Sequence, residues 1–154
     1  MYHMLETLTK HKLSVIMYLG GICMTYDAPL LNQWLLEAKS GPEASKIGMI
    51  LTHNGIVRRT TRASVRDGEN ENKAVIGMNF SYDHALVNQA VLETRAKDGI
   101  YFVKVWLNEG LLQVGDDLMY IMVGGDIRTR TMDALNFLLD RIKAECVTEI
   151  ELTQ

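Results

Sequence analysis

Apolar positions recur along the chain in two periods, and the period switches several times. From residue 27 the spacing is helical: Leu30, Leu31, Trp34, Leu35 and Ala38 share one face. Asp27 can cap the free amides, Pro29 fits the tolerant first turn, and Gly41-Pro42 closes the helix. Residues 47–57 read as an apolar strand closed by Asn54-Gly55. Residues 58–73 carry only two apolar side chains, which predicts a mobile polar loop joining two strands. A strand over 74–80 follows, then a helix capped by Ser81 and stopped by Asp98-Gly99.

Residues 100–108 alternate, with Tyr101, Val103, Val105 and Leu107 on one face and Phe102, Lys104 and Trp106 on the other. A turn around Gly110 and Gly115-Asp116 leads to an apolar strand over 118–123. Gly124-Gly125-Asp126 breaks that strand and opens a long helix to about Cys146, and a last alternating strand spans 147–152. The order α-β-β-α-β-β-α-β predicts a two-layer α+β domain with a largely antiparallel sheet.

The first 27 residues stand apart. Lys10-His11-Lys12 before an apolar run imitates a secretory leader, yet no small-x-small cleavage pattern follows. The segment is an extra strand or hairpin on the domain, or a peripheral piece preceding a functional start at Met24.

Composition narrows the class. A chain of 154 residues, 47% hydrophobic, can bury about 70% of its unfolded surface without staples. Its two cysteines lie far apart with no CxxC, which disfavours a disulfide framework or a structural zinc site. Sixteen basic against nineteen acidic residues give a net charge of −3, unlike a general nucleic-acid binder. No apolar run reaches the ~18–20 residues of a membrane helix. A soluble, cytoplasmic protein is the expectation.

Position changes the meaning of that charge. Arg58, Arg59, Arg62 and Arg66 crowd nine residues that hold no acid. Guanidinium groups bind phosphate and carboxylate bidentately, so this loop is either an anion site or a solvated surface. Val123-Gly124-Gly125-Asp126 at a helix start exposes amides and the positive end of the helix dipole, a second candidate anion site. Arg128 projects on the wheel into the sector of Leu135, Leu138, Leu139 and Ile142, so it needs an anionic ligand or another subunit, while Arg130 points to the other flank. Lys143 borders the same apolar face and is either a snorkelling lysine or a contact for an acyl or phosphoryl group. Arg128 and Lys143 are about 22 Å apart along one helix, so they can share a pocket only where two copies meet. Phe137, opposite the core face, is a candidate dimer contact. His3, His11, His53 and His84 show no metal-ligand spacing, and Cys23 and Cys146 read as buried thiols. Walker and GxGxxG loops are absent.

The order of these pieces resembles one family. Gly55-Ile-Val-Arg58, the arginine loop, Gly110-Leu-Leu-Gln-Val-Gly115-Asp116, the Arg128 helix and Lys143 near its end are similar to the large subunit of molybdopterin synthase, the MoaE family. The likeness covers roughly residues 28–152. It leaves 1–27 as an N-terminal extension and 28–154 as the MoaE-like domain, of α/β-hammerhead type.

The resemblance implies a homodimer, each copy binding a ubiquitin-like, MoaD-like carrier whose C-terminal Gly-Gly thiocarboxylate enters a pocket. There sulfur passes to cyclic pyranopterin monophosphate, a pterin substrate, with no permanently bound cofactor and no metal. Lys143 is implied as the catalytic lysine, with Arg58 and Arg128 as anion-binding residues beside Arg59 and Arg130. The sequence departs from the family at Ile127, at Leu107-Asn108, and at Ile150, where a second lysine falls; Glu149 and Glu151 make that end acidic. The alternative is a non-catalytic protein on the same scaffold that binds a carrier tail or a pterin-like anion, or an interaction module with only surface arginines.

Overall fold

The computed structural model describes residues 17–18, 21–22, 28–68 and 73–154. Within the N-terminal segment, β1 (Met17–Tyr18) and β2 (Gly21–Ile22) pair antiparallel. The expected Asp27 cap and Cys23 lie outside the described residues. Helix α1 (Leu31–Ser40) starts later than the expected Asp27 cap suggests, with Leu30 at its N-cap and no side-chain cap. Only Trp34 and Ala38 of its stripe are buried.

Six further strands form two separate antiparallel sheets. The first has the order β3-β7-β5, from β3 (Met49–Ile56), β7 (Asp117–Gly125) and β5 (Ile100–Leu107). The second has the order β6-β4-β8, from β6 (Gly110–Gln113), β4 (Val75–Tyr82) and β8 (Val147–Thr153). The α+β class with antiparallel pairing therefore holds, with two sheets where one was expected. The turn expected between the third and fourth predicted strands holds a further strand, Gly110–Gln113. The left-handed glycines at its flanks, Gly110 (φ 101°) and Gly115 (φ 98°), read in sequence as one continuous turn.

One apolar core joins the two sheets. Phe80 and Met78 of the second sheet pack with Met119, Ile121 and Val123 of the first. Helix α3 (His84–Arg95) adds Val87 and Ala90, and α4 (Arg128–Arg141) adds Ala134 and Leu138. Helix α1 lies on the other face of the first sheet. Lys104, paired across strands with Met122, makes an ion pair with Glu37 and lies 5.8 Å from the Trp34 ring.

Two local readings change. Helix α3 is capped by Asp83, whose carboxylate accepts from the Ala85 and Leu86 amides, not by Ser81, which pairs with Thr148 inside the longer strand β4. The polar stretch after Arg58 contains a short helix, α2 (Arg62–Asp67). Thr61 caps it, its hydroxyl accepting from the Ser64 amide at 3.1 Å, and Gly68 closes it in the left-handed region (φ 68°). Thr60 also bridges to Ala74, which ties the two ends of the stretch together.

Candidate functional site

The two sheets leave a cleft of about 410 Å³ along their seam. The first sheet contributes His53, Gly55 and Ile56 from β3 and Leu118 and Met119 from β7. The second contributes Met78, Glu149 and Glu151, while Arg58 and the α2 residues Arg62, Val65 and Arg66 form one wall. Lys143 completes it. Gly55 keeps the floor open, because a Cβ there would stand 3.2 Å from Met119 and 3.7 Å from His53 Nε2.

Lys143 reaches this cleft from a change of helix type. The α-geometry of α4 ends at Arg141 and the chain continues as one π-helical turn, Ile142–Cys146. A π turn is wider than an α turn and re-aims the side chains on it. Ile142 and Cys146 stay buried in the core while Lys143 turns outward. Burial pushes the Lys143 ammonium below its ordinary pKa, and the guanidinium groups of Arg62, Arg66 and Arg58 push it the same way. Four cations face one cavity.

The acids at the β8 end hold the arginine wall in place. Alternation along β8 puts Glu149 and Glu151 into the cleft and leaves Ile150 exposed on the opposite side. Glu149 pairs with the Arg62 guanidinium, and the Glu151 carboxylate accepts the Arg62 amide through both oxygens at 3.1 Å. Arg58 is steadied by its own chain, donating Nε–H to the Thr60 carbonyl at 3.1 Å. The cleft keeps a surplus of two positive charges with His53 neutral.

The other candidates lie elsewhere. Arg59 lines a separate groove with Leu111, Leu112 and Leu152. Arg128 is exposed at the opposite end of α4 and makes no ion pair among the described residues, so it does not enter the core as its wheel position suggests. The buried stripe of α4 starts one turn later, at Thr131, and runs through Ala134 and Leu138. Arg130 is engaged by Asp126 at 2.6 Å and Asp98 at 3.2 Å.

Nor is the Gly124-Gly125 corner an open anion site. Both glycines belong to β7, and the Asp126 carboxylate takes the Ile127 amide at 2.6 Å. Phe137 is half-buried beneath Lys97, whose Nζ stands 3.7 Å from the ring centre. Cys146 is buried and its thiol is pushed up, first by burial.

Arg62 and Arg66 join the site from the arginine cluster that reads in sequence as a candidate anion site, whereas the sequence did not single out His53 for it. For the arginines the signal was present in the cluster. For His53 it was only the strand period, which places residues 53 and 55 on one face. Among the described residues no group of His, Cys, Asp and Glu could hold a metal ion. No helix among them is long and apolar enough to cross a membrane.

A model of the MoaE protein family matches residues 27–145, a stretch that includes Arg58, Arg128 and Lys143 and stops short of β8. No curated protein matches the chain by sequence. Among solved structures, the chain is similar to the MoaE protein of Burkholderia ambifaria (18% identity, TM-score 0.61, covering 82% of this chain and 84% of that one). It is similar also to molybdopterin synthase of Staphylococcus aureus (17% identity, TM-score 0.58, 71% and 77% covered). A third likeness is to a complex of subunits 1 and 2 of the molybdopterin-converting factor of Helicobacter pylori (17% identity, TM-score 0.57, 79% and 75% covered). At these identities the likeness establishes the fold.

Proposed function

The chain belongs to the MoaE family, and from that premise we propose that it is the large subunit of a molybdopterin synthase. In this reading it works in the cytoplasm, in molybdenum cofactor biosynthesis. It moves sulfur from the C-terminal thiocarboxylate of a MoaD-like carrier to cyclic pyranopterin monophosphate. The observation that supports this reading most is the convergence of Arg58, Arg62, Arg66 and Lys143 on one cleft. Both reactants are anions, and preorganised cations stabilise such charge without reorganising during the reaction.

Lys143 is the reactive group. As a neutral amine it can take a proton from the water that adds to the carrier's acyl carbon once the sulfur is bonded to the pterin, so that the C–S bond breaks, sulfur stays on the pterin and the carrier leaves as a carboxylate; as an ammonium it polarises that carbonyl. Its lowered pKa enlarges the neutral fraction at a given pH. Arg58 and Arg66 hold phosphate or carboxylate oxygens in this scheme. Arg62 is partly committed to Glu149.

A homodimer belongs to the proposal, since Arg128 sits about 22 Å from Lys143 along the helix and reaches such a site only from a second copy. Light scattering should then give twice the chain mass, and a strict monomer would remove Arg128 from the scheme.

A non-catalytic binding protein is the second reading, favoured by Glu149 and Glu151 in the cleft and by Ile150 facing away from it. Purified protein mixed with thiocarboxylated carrier and pterin precursor separates the two. Molybdopterin should form, and Lys143→Ala should abolish it while leaving the fold intact. Carrier binding without product would establish the second reading instead.

A further inference from the structure

His53 is the titratable group of the cleft that neither its ion pairs nor the proposed reaction employs. Its Nε2 is buried and has no hydrogen-bond partner among the described residues. A buried nitrogen left in that state costs free energy that a bound ligand would recover. The charged groups facing it can be named for each element around it. They are Lys143 on the π turn, Arg58 beyond β3, Arg62 and Arg66 on α2, and Glu149 and Glu151 on β8. Strands β7 and β4 present only Leu118, Met119 and Met78. Glu149 is paired with the Arg62 guanidinium and Glu151 is bound to the Arg62 amide, and the charge that acts on the imidazole is the Lys143 ammonium. Burial, and then the Lys143 ammonium, hold His53 below its ordinary pKa.

We propose that His53 is a ligand-contacting residue of this cleft, neutral while the cleft is empty and protonated when an oxyanion enters and accepts a hydrogen bond from its Nε2. The entering charge offsets the field of Lys143, which removes one of the two causes that keep the ring neutral. The proton comes from solvent, and no other bond changes. The cleft thus gains a further cation only when an anion is present. By linkage, a group whose pKa is higher in the complex than in the free protein makes binding tighter as pH falls through that higher value. The oxyanion is the phosphate of a small molecule or the carboxylate of a peptide tail. The inference rests on reading the cleft as an anion site.

Calorimetric titration with sulfate and, separately, with a short N-acetylated peptide ending in Gly-Gly tests it at about pH 7.5 and about pH 5.5, where both probes keep their charge. Affinity for at least one probe should rise by up to about tenfold on acidification, as protonation of the ring in the complex requires. The probe that carries the rise identifies the source of the anion. In His53→Gln the rise should vanish. In wild-type protein carrying labelled histidine, the assigned His53 ring resonance should titrate at higher pH with the probe than without it. A rise that survives in His53→Gln, or a His53 resonance unmoved by a bound probe, overturns the proposal and leaves the anion site standing. Binding of neither probe at either pH overturns both.

Discussion

The reactivity of Lys143 depends on its neighbours as much as on its own burial. Burial is the largest cause of its lowered pKa, and Arg62, Arg66 and Arg58 follow. Arg66 is the one to remove, since its side chain is exposed and makes no hydrogen bond or ion pair among the described residues. Arg66→Ala should raise the Lys143 pKa, because one fewer cation disfavours the ammonium. At fixed pH the neutral fraction then falls. The rate of Lys143 acetylation, followed against pH by peptide mass spectrometry, should show its midpoint below the ordinary lysine value in wild type and higher in the variant. An unchanged midpoint would mean that Arg66 does not contribute to it. At this scale the sequence revealed which residues carry charge, and could not reveal which of them meet. Arg58 and Lys143 meet across 85 positions because a strand end and a π turn converge, whereas Arg128, in the same helix pattern as Lys143, lies at its far end.

Among elements, α2 is the one whose existence depends on distant chain. Six residues make a marginal helix in isolation. Here Glu151, 89 positions away, accepts the first amide, and Glu149 holds the first side chain. That distance is why the polar stretch predicts only a loop: no local pattern records a cap supplied by the last strand. The longer elements were legible because their own periods specify them, and β3, β4, β5, β7 and β8 fall within two residues of their predicted bounds at every end. Strand β6 was hidden by its glycine flanks. Glu151→Ala should weaken α2 by about 1–2 kcal/mol, the loss of hydrogen bonds to a charged acceptor. Trypsin cleavage after Arg62 and Arg66 should accelerate by roughly five- to thirtyfold, with the melting temperature nearly unchanged. Equal cleavage rates would show that Thr61 and the local sequence hold the helix unaided.

For the whole molecule, the shared core predicts shared stability. Phe80 is fully buried on the second sheet and belongs to the same cluster as Ile121 and Leu138. Phe80→Ala should cost about 3–5 kcal/mol and lower the melting temperature by roughly 10 °C. Far-ultraviolet circular dichroism and Trp fluorescence should still report one coincident transition; two separate transitions would mean that the sheets are independent units. The same continuity bears on the cleft. Met78 and Met119 line its floor with one side and fill the core with the other. The binding surface is therefore the outer skin of the hydrophobic interior, and its width acts as a gauge of how well that interior fits. A substitution deep in the protein, with no contact to any ligand, will be felt at the cleft as a change in calibre before it is felt as unfolding.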